Sequence, residues 1–436
     1  MSIKSTSKTS TQIIAGFILG LGVPFLTPER VQAASFTITP IATTGNEFTN
    51  LYPGIAINDQ GVVSFTGVTP IDSRVFTGNG NSITSIFSSE SLSPLVFQGS
   101  SSGFPPPPLR YFLGNDTAIN NRGSILFTAT QQSQFIQAGM PTFRGLFKIE
   151  NGAVTQIGNS LQNFFFSFFR QSQNFTSFHL NDQGSVVAAV SGVTETPRSI
   201  SQTQVLLNGS IIDSGASGSN FPPSSVGPPD INNQGRVFYG VSRSSFFPFP
   251  PLELNNVIEY NNGTRTPVVN QPVSAGFLAV NDQEQVIFSG NVNSQSGIFL
   301  VNNGVATRIF NGTGPVDINN AGTMVFQASE GIFMRSDHNL DRIIALGDSL
   351  FGSTVTRLAF PNAKGLNNQG QVAFYAEFAD GSRGIFRADP GAAQVPEPAL
   401  ILGLVTLAGV GLRTRRKNRS SLRSNLPYLP SSGGTD

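Results

Sequence analysis

The chain has no cysteine, no tryptophan and only two histidines among its 436 residues. Without cysteine there is neither a disulfide framework nor a thiolate metal site, so the folded state must rely on its core alone. His179 and His338 do not stand at metal-ligand spacing, and each is read as a structural or solvent-facing residue. Zero Trp and six Tyr against 37 Phe argue against a dedicated lectin, because sugar stacking usually prefers rings that combine an apolar face with a polar edge. Charge is also sparse. A charged fraction of 12% beside a hydrophobic fraction of 39% describes a chain that buries a large core rather than a disordered polyelectrolyte. Long runs of Ala, Leu, Glu and Lys at a 3.6-residue period are missing. Short alternating runs of Val, Ile, Phe and Thr, cut by Asn, 46 Gly and 28 Pro, stand in their place and predict an all-β protein.

The net charge of +1 hides an uneven distribution. Nine of the 26 basic residues (Lys4, Lys8, Arg30, Arg413, Arg415, Arg416, Lys417, Arg419 and Arg423) lie near the two ends. Setting these aside with Glu29, Glu397 and Asp436 leaves 17 basic residues against 22 acidic ones. A mildly acidic body carries no electrostatic footprint for nucleic acid.

What is present, between those ends, is one phrase repeated seven times. It begins at Asn58, Asn120, Asn181, Asn232, Asn281, Asn319 and Asn367, and ends three residues later at Gly61, Gly123, Gly184, Gly235, Glu284, Gly322 and Gly370. The ends are spaced by 62, 61, 51, 49, 38 and 48 residues. Asn opens a tight turn and Gly accepts the left-handed backbone that closes it, so Glu284 predicts a strained or differently shaped turn. After each phrase apolar residues alternate, as in Val63 and Phe65, Ile125 and Phe127, or Val372 and Phe374, which is the period of a half-buried strand. Third strands such as Gly145-Leu146-Phe147 and Gly384-Ile385-Phe386 follow, and Asn151-Gly152, Asn208-Gly209, Asn262-Gly263 and Asn303-Gly304 mark hairpins. Four strands in roughly 50 residues make a propeller blade. The last unit stops after its third strand, and Phe36 to Gly45 reads as the missing fourth. The expectation is a β-propeller of about seven four-stranded blades over 35–390, closed by its N-terminal strand. The Asn-x-x-Gly-x-Val-x-Phe units resemble those of tandem-repeat propeller-like bacterial proteins, a resemblance that implies the fold and no activity.

The flanks read as export signals. Lys4 and Lys8, an apolar stretch from Ile13 to Leu26, and Val31-Gln32-Ala33 form a secretory signal over 1–34, cleaved between Ala33 and Ala34. At the other end, over 391–436, Val395-Pro396-Glu397-Pro398 precedes an apolar segment at 399–412 and a basic cluster at 413–419. A helix breaker, a short transmembrane helix and a positive stop would lodge this tail in the inner membrane. The order resembles the PEP-CTERM sorting signal, although 19 residues continue beyond Lys417. The resemblance implies recognition by an exosortase, cleavage near the Pro-Glu-Pro motif, and release to the cell surface or an exopolysaccharide matrix. Exosortase and signal peptidase are the implied partners, with exopolysaccharide or another surface component as a third.

No catalytic, cofactor or metal site is expected. Gly347-Asp348-Ser349-Leu350 matches the opening motif of lipase-like hydrolases, but no histidine follows Ser349, and a turn is the simpler reading. Calcium would need more carboxylates than Asp59, Asp182 and Asp282, one in each of three phrases. Insertions at 104–108, 164–169, 222–223 and 246–251, rich in Phe and Pro, suit either packed loops or an adhesive patch. The functional expectation is a non-enzymatic exported surface or matrix protein acting as an interaction or structural module. The alternative is a carbohydrate-active or other hydrolytic propeller with carboxylates converging in its channel.

Overall fold

The computed structural model describes residues 36–92 apart from 46, then 109–133, 143–159, 171–194, 200–217, 224–243, and 255–391 apart from 338. The signal at 1–34 with Ala33 and Ala34, the tail with Val395, Pro396, Glu397 and Pro398, His338 and the four Phe/Pro insertions lie outside the described residues. Among the described residues no helix is long and apolar enough to cross a membrane, and the one helical element is a single turn at Ser89–Leu92.

Seven antiparallel sheets follow one another along the chain, each built mainly of four strands taken in sequence order from the inside outward. This is a seven-bladed β-propeller. The inner strands that line the channel are Ala56–Ile57 in blade 1, Leu109–Ile119 in blade 2, Gln171–Leu180 in blade 3 and Ser224–Ile231 in blade 4. Val273–Val280, Val316–Ile318 and Ser353–Ala359 continue the series through blades 5, 6 and 7.

The ring closes as the repeat count predicts. The first strand, Phe36–Thr43, pairs antiparallel with Arg383–Pro390, the third strand of blade 7, from Phe36 opposite Pro390 to Thr43 opposite Gly384. A bulge between Pro40 and Ala42 absorbs the proline, which cannot donate to the ladder. Closure matters because a propeller left open at this seam would expose two unpaired strand edges. Arg387 clasps the seam, donating to the carbonyls of Gly61 and Asn79 in blade 1 while paired with Asp389.

The phenylalanines explain the packing. In blades 1, 2, 5, 6 and 7 the Phe seven residues after the phrase asparagine sits directly across the ladder from the Phe of the third strand. Phe65 stacks on Phe76, Phe127 on Phe147, Phe288 on Phe299, Phe326 on Phe333 and Phe374 on Phe386, with centroids 5.3–6.0 Å apart. Each pair contributes about 0.5–1.5 kcal/mol beyond the area it buries. The hydrophobic clusters lie between blades. One joins Ile41 and Ala42 of the closing strand to Phe48, Phe65 and Phe76 of blade 1 and to Tyr375 and Ile385 of blade 7. The four Asn-Gly hairpins adopt the expected geometry, with Asn at φ 48–50° and Gly at 76–87°.

Candidate functional site in the central channel

The seven phrases converge on the axis. In each, the asparagine Oδ1 accepts the backbone N–H groups two and four residues ahead, as Asn58 does from Gln60 and Val62 and Asn367 from Gln369 and Gln371. The side chain thereby closes its own turn. Its Nδ2 is left to donate outward, and it reaches the asparagine carbonyl of the next blade: Asn58 to Asn120, Asn120 to Asn181, Asn181 to Asn232, Asn281 to Asn319, Asn319 to Asn367, and Asn367 back to Asn58. An aspartate would close the turn but lacks this donor, so both ends of the amide are required. The glycine that ends the phrase donates its N–H back to the asparagine carbonyl at φ 69–86° in six blades. Glu284 keeps the same turn hydrogen bond at φ 61°, so the turn is strained rather than reshaped. Nδ2 of Asn232, which faces this blade, is buried and without a partner among the described residues.

A second ring lies one residue further along, at Asp59, Asn121, Asp182, Asn233, Asp282, Asn320 and Asn368. The backbone N–H of each donates to the side-chain Oδ1 of the next, at 2.7–2.9 Å, around all seven blades without a gap. Acid and amide alternate, so each carboxylate takes Nδ2–H bonds from its neighbours. Asn121 donates to both Asp59 and Asp182, and Asn233 to both Asp182 and Asp282. Asn320 and Asn368 supply the remaining donors, to Asp282 and Asp59. These filled oxygens disfavour a calcium site. Among the described residues no group of three or more His, Cys, Asp or Glu is placed to hold a metal.

Two residues before the phrase, four blades place Ala56, Ala118, Ala279 and Gly365, whereas the other three place His179, Asp230 and Asp317. All three are almost fully buried. Lys364, from blade 7, completes the cluster. Asp230 Oδ1 accepts from its neighbour's N–H at Ile231 and lies 3.5 Å from Lys364 Nζ. Its Oδ2 accepts from Val280 N–H in the next blade. Asp317 repeats the pattern, accepting from Ile318 and, across to blade 7, from Leu366. Both aspartates therefore staple one blade to the next. His179 Nδ1 stands 3.1 Å from Asp230 Oδ1, within ion-pair distance but too poorly aligned to make a hydrogen bond.

The cluster separates the two carboxylates electrostatically. Burial favours the neutral acid at Asp230, but the Lys364 charge and His179 more than offset it and hold that carboxyl below its usual range. At Asp317 burial wins, helped by the Asp230 charge and only partly opposed by Lys364, and the carboxyl is pushed up to about 7. Burial disfavours the Lys364 ammonium as well, yet the two carboxylates keep its proton affinity above the ordinary value.

Four to five residues upstream of the rings, about 13 Å away at the rise of a strand, the channel opens into a funnel. Its cavity of about 280 Å³ is walled by Phe178, Phe277, Phe360 and prolines, and floored by Ser177, His179 and Lys364. Asp116 stands at its side, exposed to solvent, with crowding by neighbouring atoms raising its carboxyl. Gly54 runs so close to the Asn115–Asp116 backbone, and to Oδ1 of Asp116, that a Cβ there would collide with all three, so only glycine permits this approach.

Gly347-Asp348-Ser349-Leu350 forms a turn in which Asp348 accepts from Ala345 N–H, and it opens a hairpin that pairs Ser349–Leu350 with the start of the inner strand of blade 7. A family of unknown function (DUF7453) matches residues 348–402, from this turn through the last blade to the segment after Pro396-Glu397-Pro398. No curated protein matches the chain. Among solved structures it is similar to the β-propeller domain of the Trilobed protease from Pyrococcus furiosus, at 10% identity and a TM-score of 0.45, covering 78% of this chain and 96% of that one. Polysaccharide lyase Uly1 is similar at 9% identity and a TM-score of 0.40, with coverage of 80% and 91%. Virginiamycin B lyase from Staphylococcus aureus is similar at 11% identity and 0.36, with coverage of 81% and 99%. At these identities no activity carries over.

Proposed function

We propose that this chain is a non-enzymatic exported protein, delivered to the cell surface or extracellular matrix through its C-terminal sorting tail, where its propeller acts as an interaction module. The observation that carries the non-enzymatic part is the use already made of the channel carboxylates. Glycoside hydrolysis needs a pair of acids free to exchange protons with substrate and water. Asp230 and Asp317 do share the channel, but four backbone N–H groups occupy their oxygens and tie blade 4 to blade 5 and blade 6 to blade 7. A scaffold held in this way suits binding by a rigid mouth and its loops.

Export rests on the two terminal segments, with signal peptidase acting at Ala33–Ala34 and an exosortase near Pro396-Glu397-Pro398. The test is the intact mass of the natural protein recovered separately from membranes, cell surface and culture medium. Material outside the cell that has lost both ends supports the reading. A full-length tail retained in the inner membrane would replace it with a simple anchored protein.

A further inference from the structure

The funnel contains polar groups that the stapling of the blades does not use. Asp116 has no side-chain hydrogen-bond or ionic partner among the described residues and stands at the side of the cavity. Ser177 Oγ is buried and unpartnered at the floor. The Lys364 side chain lines the cavity, is 23% exposed and has its Nζ 3.5 Å from Asp230 Oδ1, leaving N–H groups to donate. Against these stands an apolar wall on which Phe277 is 38% exposed.

Charge narrows what this cavity accepts. An anion entering it meets the Asp116 carboxylate at its side, while a cation meets the Lys364 ammonium at the floor. A neutral ligand avoids both conflicts. It must still carry hydroxyls that donate to Asp116 and accept from Lys364, together with an apolar C–H face for Phe277. We propose that the funnel binds one neutral sugar ring, stacked on Phe277 with its hydroxyls held by Asp116 and Lys364. The cavity of about 280 Å³ has room for one such ring. Scarcity of Trp and Tyr argued against sugar stacking in the sequence; here a partly exposed phenylalanine supplies the platform.

This deepens the reading of the propeller as an interaction module and rests on it, but does not depend on the sorting tail. Saturation-transfer NMR on the purified chain would use the methyl glycosides of glucose, galactose, mannose and xylose, each at about 10 mM, well above the roughly millimolar Kd that one ring permits. At least one is expected to bind. Phe277→Ala and Asp116→Asn, both exposed positions, should each weaken it by roughly tenfold without changing thermal unfolding, and Phe277→Tyr should retain it. Glucosamine and glucuronate should bind more weakly than their neutral counterpart. Failure of all four neutral glycosides, equal binding by both weakening variants, or preference for a charged sugar would each overturn the proposal. Release of new reducing ends from a matching oligosaccharide would support binding at the funnel while overturning the non-enzymatic reading, so the two fail separately.

Discussion

Replacing Asn121 by Asp tests the alternating ring with a change of almost no volume. Asn121 gives one Nδ2–H bond to Asp59 and one to Asp182, at 2.8 and 2.9 Å. The variant Asn121→Asp loses both, at about 1.5 kcal/mol or more each because the acceptors are charged. It also places three carboxylates in a row at half-buried positions. At an effective dielectric near 20 two such charges 4 Å apart repel by about 4 kcal/mol, and partial exposure and salt reduce this to roughly 1 kcal/mol per neighbour. The expected loss at pH 8 is therefore about 5 kcal/mol, measured by urea denaturation followed by circular dichroism. Asn121→Ala loses the same bonds without adding charge and should cost about 3 kcal/mol at either pH. The sign of the pH effect follows from the new carboxyl, whose proton affinity in the folded state is raised by Asp59 and Asp182 on either side. A raised folded value means stability present at acid pH and lost as pH rises through it. Once protonated the group can donate again, so the penalty relative to the alanine variant should vanish near pH 5. A penalty below about 1 kcal/mol at pH 8, or one equal at both pH values, would refute the reasoning.

Three further outcomes are expected. Glu284→Gly removes a left-handed non-glycine residue worth about 1–2 kcal/mol of strain, against the entropy of glycine and one exposed contact with Arg236, so the chain should gain about 0.5 kcal/mol in urea titration. Between pH 4 and 7 the unfolding free energy should fall with rising pH by up to a few kcal/mol through Asp317, whose folded value is raised to about 7, and Asp317→Asn should flatten that slope whatever its own stability. Asp213 is buried and receives Arg243, Arg265 and the Tyr239 hydroxyl, so Asp213→Ala should cost about 3–5 kcal/mol and lower the thermal midpoint by several degrees.

Much of this fold was legible because the repeat carries its own instructions. Seven phrases implied seven blades, and the unfinished last unit together with Phe36–Thr43 implied the closing strand. The hairpins at Asn151, Asn208, Asn262 and Asn303 were equally readable, since Asn-Gly between apolar runs leaves the chain few alternatives. The chemistry of the channel was harder. Turn formation by the asparagines uses Oδ1 alone. That Nδ2 binds the next blade depends on a radial approach that spacing along the chain does not reveal. Two signals were nevertheless present in the letters: the alternation of Asp and Asn after the phrase asparagine, and the replacement of Ala or Gly by His179, Asp230 and Asp317 two residues before it. The funnel was not legible, because Asp116, Ser177, Phe277 and Lys364 come from four blades and share no motif.

Seven is odd, and two residue types cannot alternate perfectly around an odd cycle. The mismatch falls between blades 6 and 7, where Asn320 and Asn368 stand side by side and the backbone N–H of Asn320 still donates to Oδ1 of Asn368. Two adjacent aspartates there would have met as like charges. The ring therefore obeys a parity rule. Inserting a neighbouring pair of blades preserves the pattern, whereas inserting one acid-bearing blade next to another creates a repulsive joint. Blade order and number are in this sense proof-read by charge, and growth of such a propeller by duplication should be easiest two blades at a time.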